Sequence, residues 1–218
     1  MIVEHAFDYT IVRSQCHNPD LYRNEDLTKA VDRVLHLPIF KNKVKGLKQN
    51  SQLGSGLTSV GHEYLAVAHL PGASGLTKWI EQQMVLAKPL LGIDKPGTSV
   101  KYKRSWANRL MRGSQGKCHR HVKVDEWIAE LTDYSYVNFC PDIVGIFYVD
   151  LPPGSSKLAL INNGEEYTEL ALYPEEDRHY VIPVEGELVL HRPEVWHAVT
   201  MHESDLPRNC FVFDADFV

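Results

Sequence analysis

From Pro96-Gly97 onward the chain is written in short extended runs, and this constrains its fold more than any other feature. Thr98 to Leu110, Ile143 to Asp150, Ser156 to Ile161, Glu187 to His191 and Arg208 to Val218 read as strands. Turns such as Pro152-Pro-Gly154 and Asn162-Asn-Gly164 separate them. Many short strands at even spacing imply a sandwich or jelly roll, mainly β with flanking helices. A chain of 218 residues fits one such domain, with 98–218 as the jelly-roll core and 1–97 as a helical and strand support. The last run fixes an orientation, because side chains alternate across a strand. Phe211, Phe213, Ala215 and Phe217 share one face, while Arg208, Cys210, Val212 and Asp214 share the other. The phenylalanines are expected to pack outward under helices, leaving Arg208 inside. A buried arginine is costly unless an anion or an acidic side chain meets it.

The helices come from the first part of the chain. Leu27, Ala30, Val31, Val34 and Leu35 fall at helical spacing between Asn24 and Leu35, with Asn24 or Asp26 as N-cap and Pro38 beyond the end. Leu76, Ile80, Met84, Ala87 and Leu91 make one face of a second helix with Ser74 near its start. Tyr64 to Leu70 reads as a strand ended by Pro71-Gly72, and the polar stretch Lys41 to Ser59 as a surface excursion.

Charge and composition remove whole classes of partner. A net charge of −5 gives no attraction to nucleic acid or anionic lipid. No run of about 18 apolar residues exists to span a membrane. The start, Met1-Ile-Val-Glu-His, lacks the basic and apolar regions of a secretory signal. Cys16, Cys118, Cys140 and Cys210 are too scattered for a disulfide framework. They imply free thiols in a reducing, cytoplasmic setting. Phosphate-binding glycine loops, a Gly-x-Ser-x-Gly elbow and His-Glu-x-x-His are all missing.

What remains is chemistry built on histidine. His119 and His121, at i and i+2, share one side of an extended strand. His197, following Trp196 at the end of a distant run, is able to close one face of a metal with them. Arg208 lies eleven positions further on. Neutral imidazole suits Fe(II), Zn(II) and Cu(II) alike. The plainer alternatives are a half-buried loop histidine at 197 and an ordinary salt bridge at 208. His5, His17, His36, His62, His69, His179 and His202 have no partner at ligand spacing and read as surface or packing residues. Cys118 points away from His119. Pro193 leaves the facing of His191 undecided, and no role is assigned to it.

Several of these pieces, in this order, resemble the 2-oxoglutarate- and Fe(II)-dependent oxygenases related to prolyl hydroxylases. They are Ser105-Trp-Ala-Asn108, His119-Arg-His121, Val144-Gly-Ile-Phe-Tyr-Val149, Pro152-Pro-Gly-Ser-Ser-Lys-Leu158, Pro183-Val-Glu-Gly-Glu-Leu-Val-Leu190, Trp196-His197 and Pro207-Arg208. The resemblance spans Lys101 to Phe213, about half the chain. It implies a double-stranded β-helix of the cupin-like kind, with Fe(II) on the inner face and 2-oxoglutarate chelating it. His197 then matches the distal ligand. Arg208 matches the arginine that pairs with the far carboxylate of the co-substrate. Asn108 and Tyr148 are candidates to line that cavity. The chain departs from the usual His-x-Asp or His-x-Glu at its first ligand pair, where it has His119 and His121. Asp125 is the alternative ligand, and Glu126 a weaker one. The segment from Asp125 to Pro141 is long for its place. It reads as a short covering helix capped by Asp125, or as a lid over the metal.

The activity implied is a dioxygenase hydroxylating an unidentified substrate, with amino acids, peptidyl proline, nucleobases and small metabolites all open, as is the oligomeric state. A three-histidine zinc lyase or hydrolase and a non-enzymatic jelly-roll binding protein are the alternatives.

Overall fold

The structure is a computed structural model that describes residues 1–36, 56–59, 67–121 and 140–218. Most of the polar excursion, Tyr64 to Ala66, Asp125, Glu126 and nearly all of the 125–141 segment lie outside the described residues.

Eleven strands and two α-helices are described, and every strand pairing is antiparallel. In chain order the strands are β1 (Ile2–Ala6), β2 (Tyr9–Gln15), β3 (Leu57–Thr58), β4 (Val100–Leu110), β5 (Gly116–His119) and β6 (Ile143–Asp150). They continue as β7 (Leu158–Ile161), β8 (Arg178–Val181), β9 (Glu187–His191), β10 (His197–Val199) and β11 (Arg208–Phe217). A seven-stranded sheet has the order β1-β2-β9-β6-β11-β4-β3, and a four-stranded sheet the order β5-β10-β7-β8. The first two strands are thus part of the large sheet, joined to it through β9.

Helix α1 (Glu25–Leu35) begins where Asn24 accepts the Leu27 amide at 2.8 Å, a cap worth about 1 kcal/mol. It buries Leu27, Ala30, Val31, Val34 and Leu35, the stripe its spacing predicts. Helix α2 (Ser74–Ala87) buries Leu76, Ile80, Met84 and Ala87. Both stripes meet Phe211, Phe213, Ala215 and Phe217 on the outer face of the large sheet, as expected. Gly145 makes this contact possible. A β-carbon there would lie 3.0 Å from Met84 Cε and 3.1 Å from Leu190 Cδ2, so a larger residue would force those two side-chain ends to shift.

The strand expected up to Leu70 is corrected at its described end. Val67–His69 is a single 3-10 turn, closed by the Leu70 amide donating to the Val67 carbonyl at 3.1 Å. Its apolar residues join the core beneath the helices. The chain then reverses through Gly72, at φ +78°, whose carbonyl accepts from Asn24 Nδ2 at 3.0 Å. The need to seat the start of α1 outweighs the β-propensity of the run.

A second core fills the space between the sheets. Trp106, Ile146, Tyr148, Val189, Cys210 and Val212 of the large sheet meet Leu158, Leu160 and Val181 of the small one. The polar groups buried in this layer make up the site.

Candidate metal centre

Register brings the histidines together. On β5 and β10, His119 and His197 are paired directly, so their side chains leave the small sheet side by side. Their ring centroids are 4.4 Å apart. His121, just past the end of β5, lies 5.4 Å from His119 and 5.2 Å from His197, centroid to centroid. One nitrogen from each of the three lies within 4.8 Å of the others.

The outer nitrogens are already committed. Nδ1 of His119 meets the Lys117 carbonyl at 2.8 Å, and Nδ1 of His197 meets the Val195 carbonyl at 3.0 Å. A carbonyl can only accept, so both Nδ1 atoms carry the proton and Nε2 carries the lone pair. Nδ1 of His121 meets Asp214 Oδ1 at 2.6 Å. Burial alone would raise the Asp214 carboxyl. The hydrogen bonds from His121 and Arg104, with the Arg104 charge, outweigh it and hold the group below its usual range. Asp214 is therefore the acceptor here as well. Arg104 Nε braces its other oxygen at 2.9 Å. Burial and the neighbouring imidazoles hold His197 well below the ordinary histidine range, which keeps it neutral and ready to ligate. Three lone pairs on imidazoles oriented from behind form a donor set that suits a divalent transition metal.

Arg208 is 2 % exposed and faces inward, as the alternation of β11 requires. It has no acidic partner among the described residues. Its guanidinium carbon lies 5.0 Å from the centre of the Tyr148 ring, and Nη1 makes a long 3.9 Å contact with Cys210 Sγ. Nε has no hydrogen-bond partner. The ordinary salt bridge considered for Arg208 is absent among the described residues. Register puts Asn108, Cys210 and Tyr148 in one row across β4, β11 and β6, beside Arg208. The Asn108 Oδ1 accepts from Thr58 Oγ1 at 2.6 Å. The fully buried Tyr148 hydroxyl has no hydrogen-bond partner.

Two residues given no role by sequence reasoning belong here. Asp214 was placed on the inner face, but its contact with His121 depends on the meeting of two sheets, which no local pattern encodes. His191 faces inward because β9 keeps its alternation to the end, pairing Val144 with His191 and Ile146 with Val189. Its ring is 4.9 Å from that of His197. The alternation of Glu187, Val189 and His191 was the available signal. Cys118 faces away from the histidines, into a small cluster with Ala159, Ile161, Tyr173 and Ala198. All four cysteines are free. His179 bonds Glu4 at 2.6 Å, and His202 is buried against the Leu206 carbonyl at 2.8 Å, both packing roles.

No family model and no curated protein matches this chain. Solved structures do. HygX from Streptomyces hygroscopicus, crystallised with nickel, 2-oxoglutarate and hygromycin B, superposes with a TM-score of 0.51 at 11% identity, over 95% of this chain and 82% of its own. The fold is shared with 2-oxoglutarate-dependent enzymes. SnoN, a non-heme alpha-ketoglutarate-dependent epimerase of nogalamycin biosynthesis, gives 0.51 at 11% identity over 94% of this chain and 76% of its own. A Burkholderia pseudomallei oxidoreductase of the 2OG-Fe(II) oxygenase family gives 0.45 at 11% identity. It matches 67% of this chain, which spans only 56% of that protein. Among the described residues, no helix is long and apolar enough to cross a membrane.

Proposed function

We propose that the protein is a 2-oxoglutarate- and Fe(II)-dependent dioxygenase built on a double-stranded β-helix, acting on a small-molecule or peptidyl substrate. The observation that carries this reading is the buried Arg208, a fixed cation between the sheets that no described carboxylate neutralises. A side chain so placed is tolerable when a small anion completes it. A diacid with one carboxylate on Arg208 and its oxo-acid end on the metal fits that need.

His119, His121 and His197 hold the cation through Nε2, with Lys117, Asp214 and Val195 fixing the rings from behind. Arg208 grips the far carboxylate in a charge-assisted fork. Tyr148, its ring under the guanidinium and its hydroxyl unpaired, supplies a donor to the same carboxylate, and Asn108 lines the row beside it. The apolar residues of the inner core exclude water from this space. When bound, Fe(II) and 2-oxoglutarate supply the oxidising chemistry: oxygen is consumed, the oxo acid becomes succinate and carbon dioxide, and a substrate C–H bond is hydroxylated.

The test is turnover under air with Fe(II), following succinate formation from 2-oxoglutarate even without a prime substrate, since uncoupled turnover leaves the same product. Succinate in the wild type and none in His197→Ala is expected. No succinate, together with no change in melting temperature on adding metal and diacid, would end the proposal. The all-imidazole donor set also suits a zinc lyase or hydrolase, in which bound water is the nucleophile. Activity that persists without oxygen would favour it.

A further inference from the structure

One of the three histidines is held differently from the other two. His119 and His197 lie in the β5–β10 ladder, and each ring is fixed by a carbonyl two residues back in its own stretch of chain. His121 lies past the end of β5, where its amide donates to the Pro193 carbonyl at 2.9 Å. Its ring is held from the other sheet. Nδ1 donates across the sandwich to Asp214 of β11, 93 positions away along the chain.

Two further groups of the large sheet complete this support. The Trp106 ring stacks on that of His121, tilted by 23° with centroids 6.0 Å apart, within the range of offset aromatic stacking. Arg104 joins the two supports. Its Nε and Nη2 both donate to Asp214 Oδ2, the former at 2.9 Å. Its guanidinium carbon lies 5.4 Å from the centre of the Trp106 ring, close enough for a cation–π contact. Register accounts for the meeting. Strand β4 sets Arg104 opposite Asp214 and Trp106 opposite Val212, so the two side chains stand one above the other on the inner face. Arg104, Asp214, His121 and Trp106 thus close a circuit of contacts with the imidazole at one corner. Asp214 is fully buried, and without Arg104 its carboxylate would stand uncompensated behind that imidazole.

We infer that Arg104 and Trp106 are positioning residues of the metal centre, acting on it through His121. The inference rests on the three histidines holding a cation. Asp214 sets which nitrogen of His121 carries the lone pair, and the stacked indole sets the plane in which it is presented. Arg104 locks the two together. A ligand beyond the end of its strand is thereby fixed as firmly as the two inside the ladder.

The experiment reads the metal centre without turnover. Zn(II) affinity, from competition with a chelating dye, is expected to fall about tenfold in Arg104→Met and in Trp106→Leu, the lower end of the loss for groups that orient ligands. Trp106→Phe keeps a ring to stack and is expected to stay near wild type. A spectroscopic signature separates positioning from a loosened fold. In the Cu(II)-loaded protein, pulsed electron paramagnetic resonance reads the remote nitrogen of each bound imidazole, whose coupling follows the strength of its hydrogen bond. Three are expected in the wild type, two backed by carbonyls and one by a carboxylate. Arg104→Met is expected to alter that one and leave the other two. Unchanged couplings overturn the inference even if the affinity falls, because a loosened fold alone would produce that fall. Unchanged affinity in both Arg104→Met and Trp106→Leu overturns it as well. If Arg104→Met does not fold, the pair at Trp106 decides, and equal affinities for the leucine and phenylalanine variants overturn the inference. A wild type that takes up neither Cu(II) nor Zn(II) instead removes the metal centre itself, and this inference with it.

Discussion

Replacing Arg208 with methionine separates a binding arginine from a structural one by the sign of the stability change. Deleting an ordinary large side chain as buried as this, 2 % exposed, costs about 2–5 kcal/mol through lost packing. Here the group removed is a desolvated cation without an acidic partner among the described residues, and an uncompensated buried charge is itself worth several kcal/mol of destabilisation. Set against its removal is the contact with the Tyr148 ring at 5.0 Å, about 2 kcal/mol when desolvated. Methionine keeps most of the stem volume. Without co-substrate, Arg208→Met is therefore expected to be as stable as wild type or up to about 2 kcal/mol more stable.

With co-substrate the order reverses. Loss of a buried charge-assisted pair weakens binding by about 2–5 kcal/mol, or about 30- to 5,000-fold. At 2-oxoglutarate a hundredfold above its wild-type dissociation constant, the wild type gains about 2.7 kcal/mol and the variant less than about 1. Urea unfolding of the Zn(II)-loaded proteins, with and without the acid, measures all four values. A variant that loses more than about 2 kcal/mol without the acid, yet keeps the full increment with it, would show that Arg208 serves the fold.

Asp214→Asn keeps the shape of the side chain but removes the charge behind His121 Nδ1, bonded at 2.6 Å, and in front of Arg104. Metal affinity should drop about 10- to 100-fold, and the metal-free protein should lose about 1–3 kcal/mol. Unchanged affinity in a metal titration would remove Asp214 from the centre. The metal-free protein should also weaken in mild acid. Burial first, with the neighbouring His121 and His119 imidazoles adding to it, pulls His191 down to about 4 from 6.5. The unfolded chain takes up a proton below about 6.5 that the folded chain refuses. Stability is thus complete above that pH and declines as pH falls towards about 4, by about 3 kcal/mol for this group. Urea midpoints between pH 7.5 and 4.5 check it, and a flat profile would contradict the neutral buried ring.

The parts legible in the sequence were those set by period. The two-residue alternation of β11 placed Arg208 inward and the phenylalanines under the helices. The stripe from Leu27 to Leu35 placed α1, and Asn24 capped it. The same alternation carried the meeting of His119 with His197 only half way, since it gives the facing of each strand and not their pairing. The parts that escaped depended on contacts between layers. Asp214 finds His121 because the sheets face each other, with no spacing in the chain to announce it. His191 was set aside on the strength of Pro193, yet a proline after the last ladder residue does not disturb the residue before it. The run ending at Leu70 reads as extended because its residues are apolar, but its described end, Val67 to Leu70, packs into the core beneath the helices as a turn.

Strand β11 is hydrogen-bonded on both flanks, to β4 and to β6. Arg208 stands at one end, and Asp214, six residues on, backs the imidazole at the other, about 20 Å of rise at 3.3 Å per residue. Neither ladder can slide without turning every side chain over. The backbone thus holds the inward guanidinium and the carboxylate behind His121 at a fixed spacing along one strand. Deleting one residue between them would turn one of the two to the outer face, because the frame that carries both does not stretch.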